Sequence, residues 1–171
     1  MQRWLFRKEL EGVTAGCPHV YFLDESGVDH RLCRLHARAP RGEKVYMEVD
    51  GARRGRTSII SASRGGRLVC PFTFEGHCDR SVVETYFAQV LLPAIPAGSV
   101  IVLDNASFHH SPSLQALVEA AGCSLLFLPA YSPDLNPIEH IWAVLKTSIR
   151  RSLQDAKDKF LFISNMCQCY C

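Results

Sequence analysis

Between Ser99 and Ile149 the sequence changes period three times, and that alternation restricts the fold more than any other feature. SVIVLDN (Ser99 to Asn105) is a short apolar, β-branched run that closes on an acid, and a helical stretch from Ser113 to Ala121 follows and stops at Gly122. SLLFL (Ser124 to Leu128) is again strand-like, and Ile138, Ile141, Trp142, Leu145 and Ile149 then fall on one helical face. Strands alternating with helices call for a parallel sheet with helices on its faces.

The first half supplies three more strands. HVYFLDE (His19 to Glu25) ends in acid, and RTSIISAS (Arg56 to Ser63) and RLVCPFTFEG (Arg67 to Gly76) form a hairpin through Arg64-Gly65-Gly66, with Pro71 marking an edge or a bulge. From Asp79 the apolar residues Val82, Val83, Tyr86, Phe87, Val90 and Leu91 keep helical spacing until Pro93 and Pro96. The expected fold is therefore α/β, a five-stranded mixed sheet flanked by helices. With 171 residues, 47% of them hydrophobic, the chain is long enough for one cored domain. We place that domain at residues 18–152, with 1–17 as a linker or remnant and 153–171 as an atypical C-terminal helix or tail. No run approaches the roughly 20 apolar residues of a membrane span, which points to the cytoplasm and away from a membrane partner.

Net charge is +2, but the ten Arg and Lys between Arg31 and Arg67 face only Glu43, Glu48 and Asp50, a local surplus of seven. Arginine predominates and Gly42, Gly51, Gly55, Gly65 and Gly66 are interspersed, the composition of a phosphate-contacting segment as well as of a solvated loop region. Arg38, Arg41, Lys44, Arg53, Arg54 and Arg56 are the candidate DNA contacts. The eight cysteines are scattered or, as Cys167, Cys169 and Cys171, lack a partner cluster at zinc-ligand spacing, and read as thiols.

In open sheets of this class ligands gather at the carboxyl ends of the strands, where Asp24 and Asp104 stand. On neighbouring strands two such side chains lie about 5 Å apart and repel unless a cation separates them. Glu139 is the third candidate acid. Asn136 caps its helix and Pro137 suits the first position, yet Asn136 followed by Glu139 is also a capping-box spacing in which the glutamate reaches back to the Asn136 amide. Spacing alone leaves both readings open. Glu25 points to the opposite face of its strand from Asp24. Asp134 reads as a turn residue and Trp142 as core.

HVYFLDESG, RAPRGEKV, Phe74 to Gly76, VIVLDNASFHHS, Ala121 to Cys123 and LLFLPAYSPDLNPIEHIWAVLK together resemble the DDE endonuclease domain of bacterial insertion-sequence transposases in the mariner superfamily. The resemblance runs from about Tyr21 to Arg150, and 34 residues separate Asp104 from Glu139, a spacing familiar in that group. It implies a ribonuclease H-like fold, with Asp24, Asp104 and Glu139 as catalytic and metal-binding acids, and Asn105, His109 and Asn136 in support. It also implies Mg²⁺ or Mn²⁺, two ions in all, cleavage at transposon ends and strand transfer into target DNA. The implied partners are double-stranded DNA and a homodimer or a transposase subunit carrying a helix-turn-helix, with association with the bacterial nucleoid. Such a helix-turn-helix is expected ahead of the first strand, where this sequence has about twenty residues. A non-catalytic remnant acting as a regulator and another ribonuclease H-like nuclease are the alternative readings.

Overall fold

The computed structural model describes residues 2–16, 19–32, 38–46 and 55–171. A mixed five-stranded sheet forms its centre, built from β1 (Val20–Asp29), β2 (Arg56–Arg64), β3 (Arg67–Glu75), β4 (Val100–Leu103) and β5 (Ser124–Phe127) in the order β3-β2-β1-β4-β5. β1, β2 and β3 run antiparallel as a meander, whereas β4 lies parallel to β1 and β5 parallel to β4. The helices are α1 (Gln2–Gly16), α2 (Arg80–Tyr86), α3 (Pro112–Ala120), α4 (Ile138–Ser152) and α5 (Lys159–Gln168).

The β2–β3 hairpin turns on Gly65 and Gly66 at φ +60° and +79°, the left-handed pair that a two-residue turn requires. Pro71 falls on the edge strand, where the β2–β3 register slips between Ile60 and Ala62. Cys70, just before it, adopts φ +54°. The slip frees backbone groups, and the buried Tyr86 hydroxyl meets two of them, accepting from the Ala62 amide at 3.2 Å and donating to the Cys70 carbonyl at 3.0 Å.

Each sheet face buries its own apolar set. On one, Tyr21, Leu23, Ile60 and Leu103 pack against Val83, Tyr86 and Phe87, and against Leu114 and Val118 of α3. The helix begun by α2 widens into a π turn at Phe87–Leu91 and tightens to a 3₁₀ turn at Leu92–Ala94, where Pro93 ends it. On the other face, Val28, Ile59 and Leu68 meet Ile138, Ile141, Trp142, Leu145 and Ile149 of α4 with Ile163 and Cys167 of α5. A third cluster sets Phe6 of α1 against Val102 and Leu128.

The N-terminal end is more regular than its sequence suggests, and the C-terminal end takes the helical form of the two expected. The residues read as linker or remnant form α1, the segment read as helix or tail contains α5, and just past α5 the Tyr170 carbonyl accepts from the Leu68 amide of β3 at 2.7 Å. Burial in that cluster pushes the Cys167 thiol up to about 12, the behaviour of an inert core cysteine. Among the described residues no helix is long and apolar enough to cross a membrane.

The packing of α5 is testable within one helix. Ile163 is fully buried, so Ile163→Ala is expected to cost about 2–5 kcal/mol in denaturant unfolding. The exposed Leu161, substituted in the same way, is expected to change stability by no more than about 0.5 kcal/mol. Equal effects would show that α5 is not part of the core.

Candidate active site

The three candidate acids come from three different elements. Val20, Tyr21 and Phe22 of β1 pair with Val100, Ile101 and Val102 of β4, and Asp24 and Asp104 continue the two strands at the same offset. Parallel pairing with this register sets the two acids side by side at one end of the sheet. Glu139 lies in the first turn of α4. All three line one cleft of about 440 Å³, with Asn105, Ala106, the stretch Leu128 to Pro133, and Asn136.

The proline-rich lead-in fixes where α4 starts. The Leu128 amide bonds the Leu103 carbonyl at 2.8 Å, extending the β4–β5 pairing into the loop, and a 3₁₀ turn at Pro133–Leu135 then reverses the chain. Asn136 is buried and extended, Pro137 is helical, and the Ile138 amide donates to Asn136 Oδ1 at 3.4 Å, so Asn136 caps the helix. Its Nδ2 donates to the Leu23 carbonyl at 3.3 Å, pinning the helix start to the residue before Asp24. The Asn136 amide itself is bonded to the Pro133 carbonyl at 2.9 Å. The reciprocal capping box is thus not formed, and the exposed Glu139 carboxylate has no hydrogen-bond partner among the described residues.

A second tie joins α4 to β1. Trp142, buried in the core as its position suggests, also donates its indole N–H to Asp24 Oδ2 at 3.0 Å. Burial, then the negative charges of Glu25 and Glu139, lift Asp24 from the usual carboxylate range to about 7. Asp104 is pushed the other way by hydrogen bonds from His109 and the Ala106 amide. His109, 1% exposed, stands between two acids, with Nδ1 2.6 Å from Asp104 Oδ1 and Nε2 3.0 Å from Glu25 Oε1. Burial alone would lower its pKa, but the two carboxylates outweigh it and hold the imidazolium up to about 9.

Of the supporting residues, Asn105 and Asn136 line the cleft and His109 touches Asp104. The Asn105 side chain bonds His110, whose ring stacks on Phe127. Asp134 sits in the 3₁₀ turn and pairs with Arg3 of α1. Arg38, Arg41 and Lys44 are exposed in the stretch between β1 and β2, and Arg56 is exposed at the start of β2, whereas Arg53 and Arg54 lie outside the described residues. Sequence reasoning missed the contact of Glu25 with His109, because it spans both the sheet and a loop. It also missed Tyr131, 99% exposed at the cleft mouth with φ +54°, a backbone conformation costing about 1–3 kcal/mol at a non-glycine position.

Among the described residues no three His, Cys, Asp or Glu side chains are gathered tightly enough to make a ready-formed metal centre. The donor set nevertheless suits a hard cation. Asp104 Oδ2 and the Glu139 carboxylate are uncommitted among the described residues, Asp24 keeps lone pairs beyond those that meet the Trp142 indole and the Glu25 amide, and the mutual repulsion recorded at Asp24 is what a divalent ion relieves.

Comparison with known proteins follows the same lines. The sequence profile of the DDE superfamily endonucleases matches residues 19–160. An uncharacterised Sinorhizobium fredii protein, y4pE/y4sA, is 31% identical over 84 residues, which span 48% of this chain and 56% of that protein. The Tc1 transposase of Caenorhabditis elegans is 36% identical over 80 residues, 45% of this chain and 29% of the transposase. Among solved structures, a Mos1 transposase paired-end complex with the left transposon end superposes with a TM-score of 0.71 at 15% identity, covering 99% of this chain and 59% of that one. The Mos1 transposase catalytic domain with raltegravir and Mg gives 0.66 at 14%, covering 98% and 79%. The shared fold is ribonuclease H-like, and the chain spans little more than half of the first of these relatives and less than a third of the second.

The raised pKa of Asp24 has a definite sign. A carboxyl whose folded pKa lies above its unfolded value adds stability below pH 3.8, and that contribution is lost as pH rises through about 7. Asp24→Asn retains an acceptor for Trp142 and carries no charge, so it is expected to raise the melting temperature of the metal-free protein by several degrees at pH 8 and to change it little at pH 4. A lower melting temperature for the variant at pH 8 would contradict the electrostatic account.

Proposed function

This chain belongs to the DDE superfamily endonucleases, and on that premise we propose that its cleft cuts DNA strands at transposon ends and joins them to target DNA. The observation that carries the proposal is the meeting of Asp24, Asp104 and Glu139, from two parallel strands and a capped helix, along one cleft. Their carboxylate oxygens would hold Mg²⁺ or Mn²⁺, two ions in our reading, and Mos1 paired-end complexes with Mn and with Mg support the choice of metal. Bound there, divalent ions supply Lewis-acid stabilisation of charge on the attacking and leaving oxygens.

The residues of the chain do the rest. Trp142 and His109 fix one oxygen each of Asp24 and Asp104, and Asn136 sets the direction from which Glu139 approaches. A scissile phosphodiester laid along the cleft meets water in the first reaction, freeing a 3′-hydroxyl at the transposon end. That hydroxyl attacks a phosphodiester of the target in the second, so one bond forms as another breaks and no protein–DNA bond is needed.

Duplex DNA is the proposed partner, held by Arg38, Arg41, Lys44, Arg53, Arg54 and Arg56 through phosphates. Specific recognition of the ends requires a helix-turn-helix, in our reading on the same polypeptide or on a partner transposase subunit. A homodimer is the proposed assembly. Arg56 supports the phosphate role by its exposed position beside the arginine-rich stretch.

Asp104→Asn, introduced into a complete transposase, is expected to reduce Mg²⁺-dependent strand cleavage by orders of magnitude while DNA binding persists. Near-normal cleavage would remove Asp104 from the mechanism. Replacing Arg53, Arg54 and Arg56 with alanine is expected to weaken binding equally on terminal-repeat and random duplexes and to flatten the salt dependence. Competition binding at several salt concentrations checks this, and a loss confined to the repeat would contradict it.

A further inference from the structure

The ring of His109 is closed off from solvent, wedged edge-on to Phe108 at 4.4 Å, with an acid at each nitrogen. Those acids come from opposite sides of the sheet. Asp24 and Asp104 face the cleft, whereas Glu25, next along β1, projects to the other face and reaches Nε2 at 3.0 Å. Facing two acceptors, both nitrogens donate. Asp104 Oδ1 is then held from two directions, by His109 Nδ1 at 2.6 Å and by the Ala106 amide at 3.1 Å.

We infer that Glu25 and His109 are a positioning pair for Asp104, Glu25 anchoring the imidazole and the imidazole turning the Asp104 carboxylate so that Oδ2 is the oxygen offered to the cleft. This inference rests on the reading of Asp104 as a ligand for a divalent cation. A carboxylate free to rotate presents either oxygen and loses that freedom on binding, whereas one already held by two donors does not. Neither residue touches the reacting atoms.

A purely structural role, in which the buried pair ties the Asp104 to His109 loop to the sheet, predicts that any loss of function follows loss of stability. Two isosteric substitutions separate the roles. His109→Asn keeps a donor near the position of Nδ1 and gives up the reach to Glu25, whereas His109→Gln keeps the reach to Glu25 and gives up the donor to Asp104.

The experiment is calorimetric titration of this chain with Mn²⁺ alone, with the melting temperature of each variant as the second readout. Wild type is expected to bind Mn²⁺ saturably and Asp104→Asn to lose that binding. His109→Gln is expected to weaken Mn²⁺ binding by about 10- to 100-fold. His109→Asn, which keeps the donor to Asp104 but loses the Glu25 anchor, is expected to lose clearly less affinity than His109→Gln even where the two variants melt alike. Glu25→Gln keeps the shape and is the second probe should the His109 variants fold poorly, with a smaller loss of affinity expected. Wild-type affinity in His109→Gln or in Glu25→Gln, or losses in both His109 variants that follow melting temperature alone, would overturn the positioning role while leaving Asp104 as a ligand. Mn²⁺ binding that survives Asp104→Asn would overturn the ligand reading itself, and the inference with it.

Discussion

The parallel pairing of β1 with β4 is the constraint on which the rest of the site depends. Three residue pairs, Val20 with Val100 to Phe22 with Val102, set the register. A slip of one residue would turn Asp24 or Asp104 to the wrong face, and a slip of two would separate them by about 7 Å along the strands. Burial on both faces holds that register, because Tyr21, Leu23, Ile101 and Leu103 belong to one core cluster and Val102 to another.

A site made of acids opposes its own assembly, and the contacts around it are the countermeasures. Asp24 is destabilised as an anion by burial and by its neighbours, yet the Trp142 indole holds one of its oxygens. The tether from Asn136 to the Leu23 carbonyl and the packing of Ile138, Ile141 and Trp142 bring Glu139 to the cleft from a separate element. The cost is met by a long apolar face on α4, which explains why the most buried helix in the cluster also carries the third acid. At Asp104 the countermeasure is cationic, a buried imidazolium stabilised by Glu25 from behind the sheet.

Much of this was legible in the sequence because it depends on periodicity and on punctuation. The alternation from Ser99 to Ile149, the Gly65-Gly66 turn and the proline before the capped helix each have a local cause, and each is present in the fold. The β1 strand runs further than its apolar pattern, to Asp29, because pairing with β2 supplies what hydrophobicity does not. The packing of the C-terminal helix was less legible for a related reason: Ile163 and Cys167 of α5 share a core cluster with Val28, Ile59 and Leu68, which no pattern within FLFISNMCQCYC announces. The Glu25 to His109 contact joins residues 84 positions apart across two layers, and no spacing rule reaches that far.

The central claim is that Asp24, Asp104 and Glu139 act together on one divalent cation site. Anomalous diffraction from crystals of this chain grown with Mn²⁺ tests it most directly. The account predicts a manganese peak in the cleft within coordination distance, about 2.0–2.3 Å, of oxygens from Asp24 and Asp104, with Glu139 completing or facing the same cluster. Manganese bound elsewhere with the cleft empty, or Glu139 turned back onto the Asn136 backbone and away from both aspartates, would contradict it.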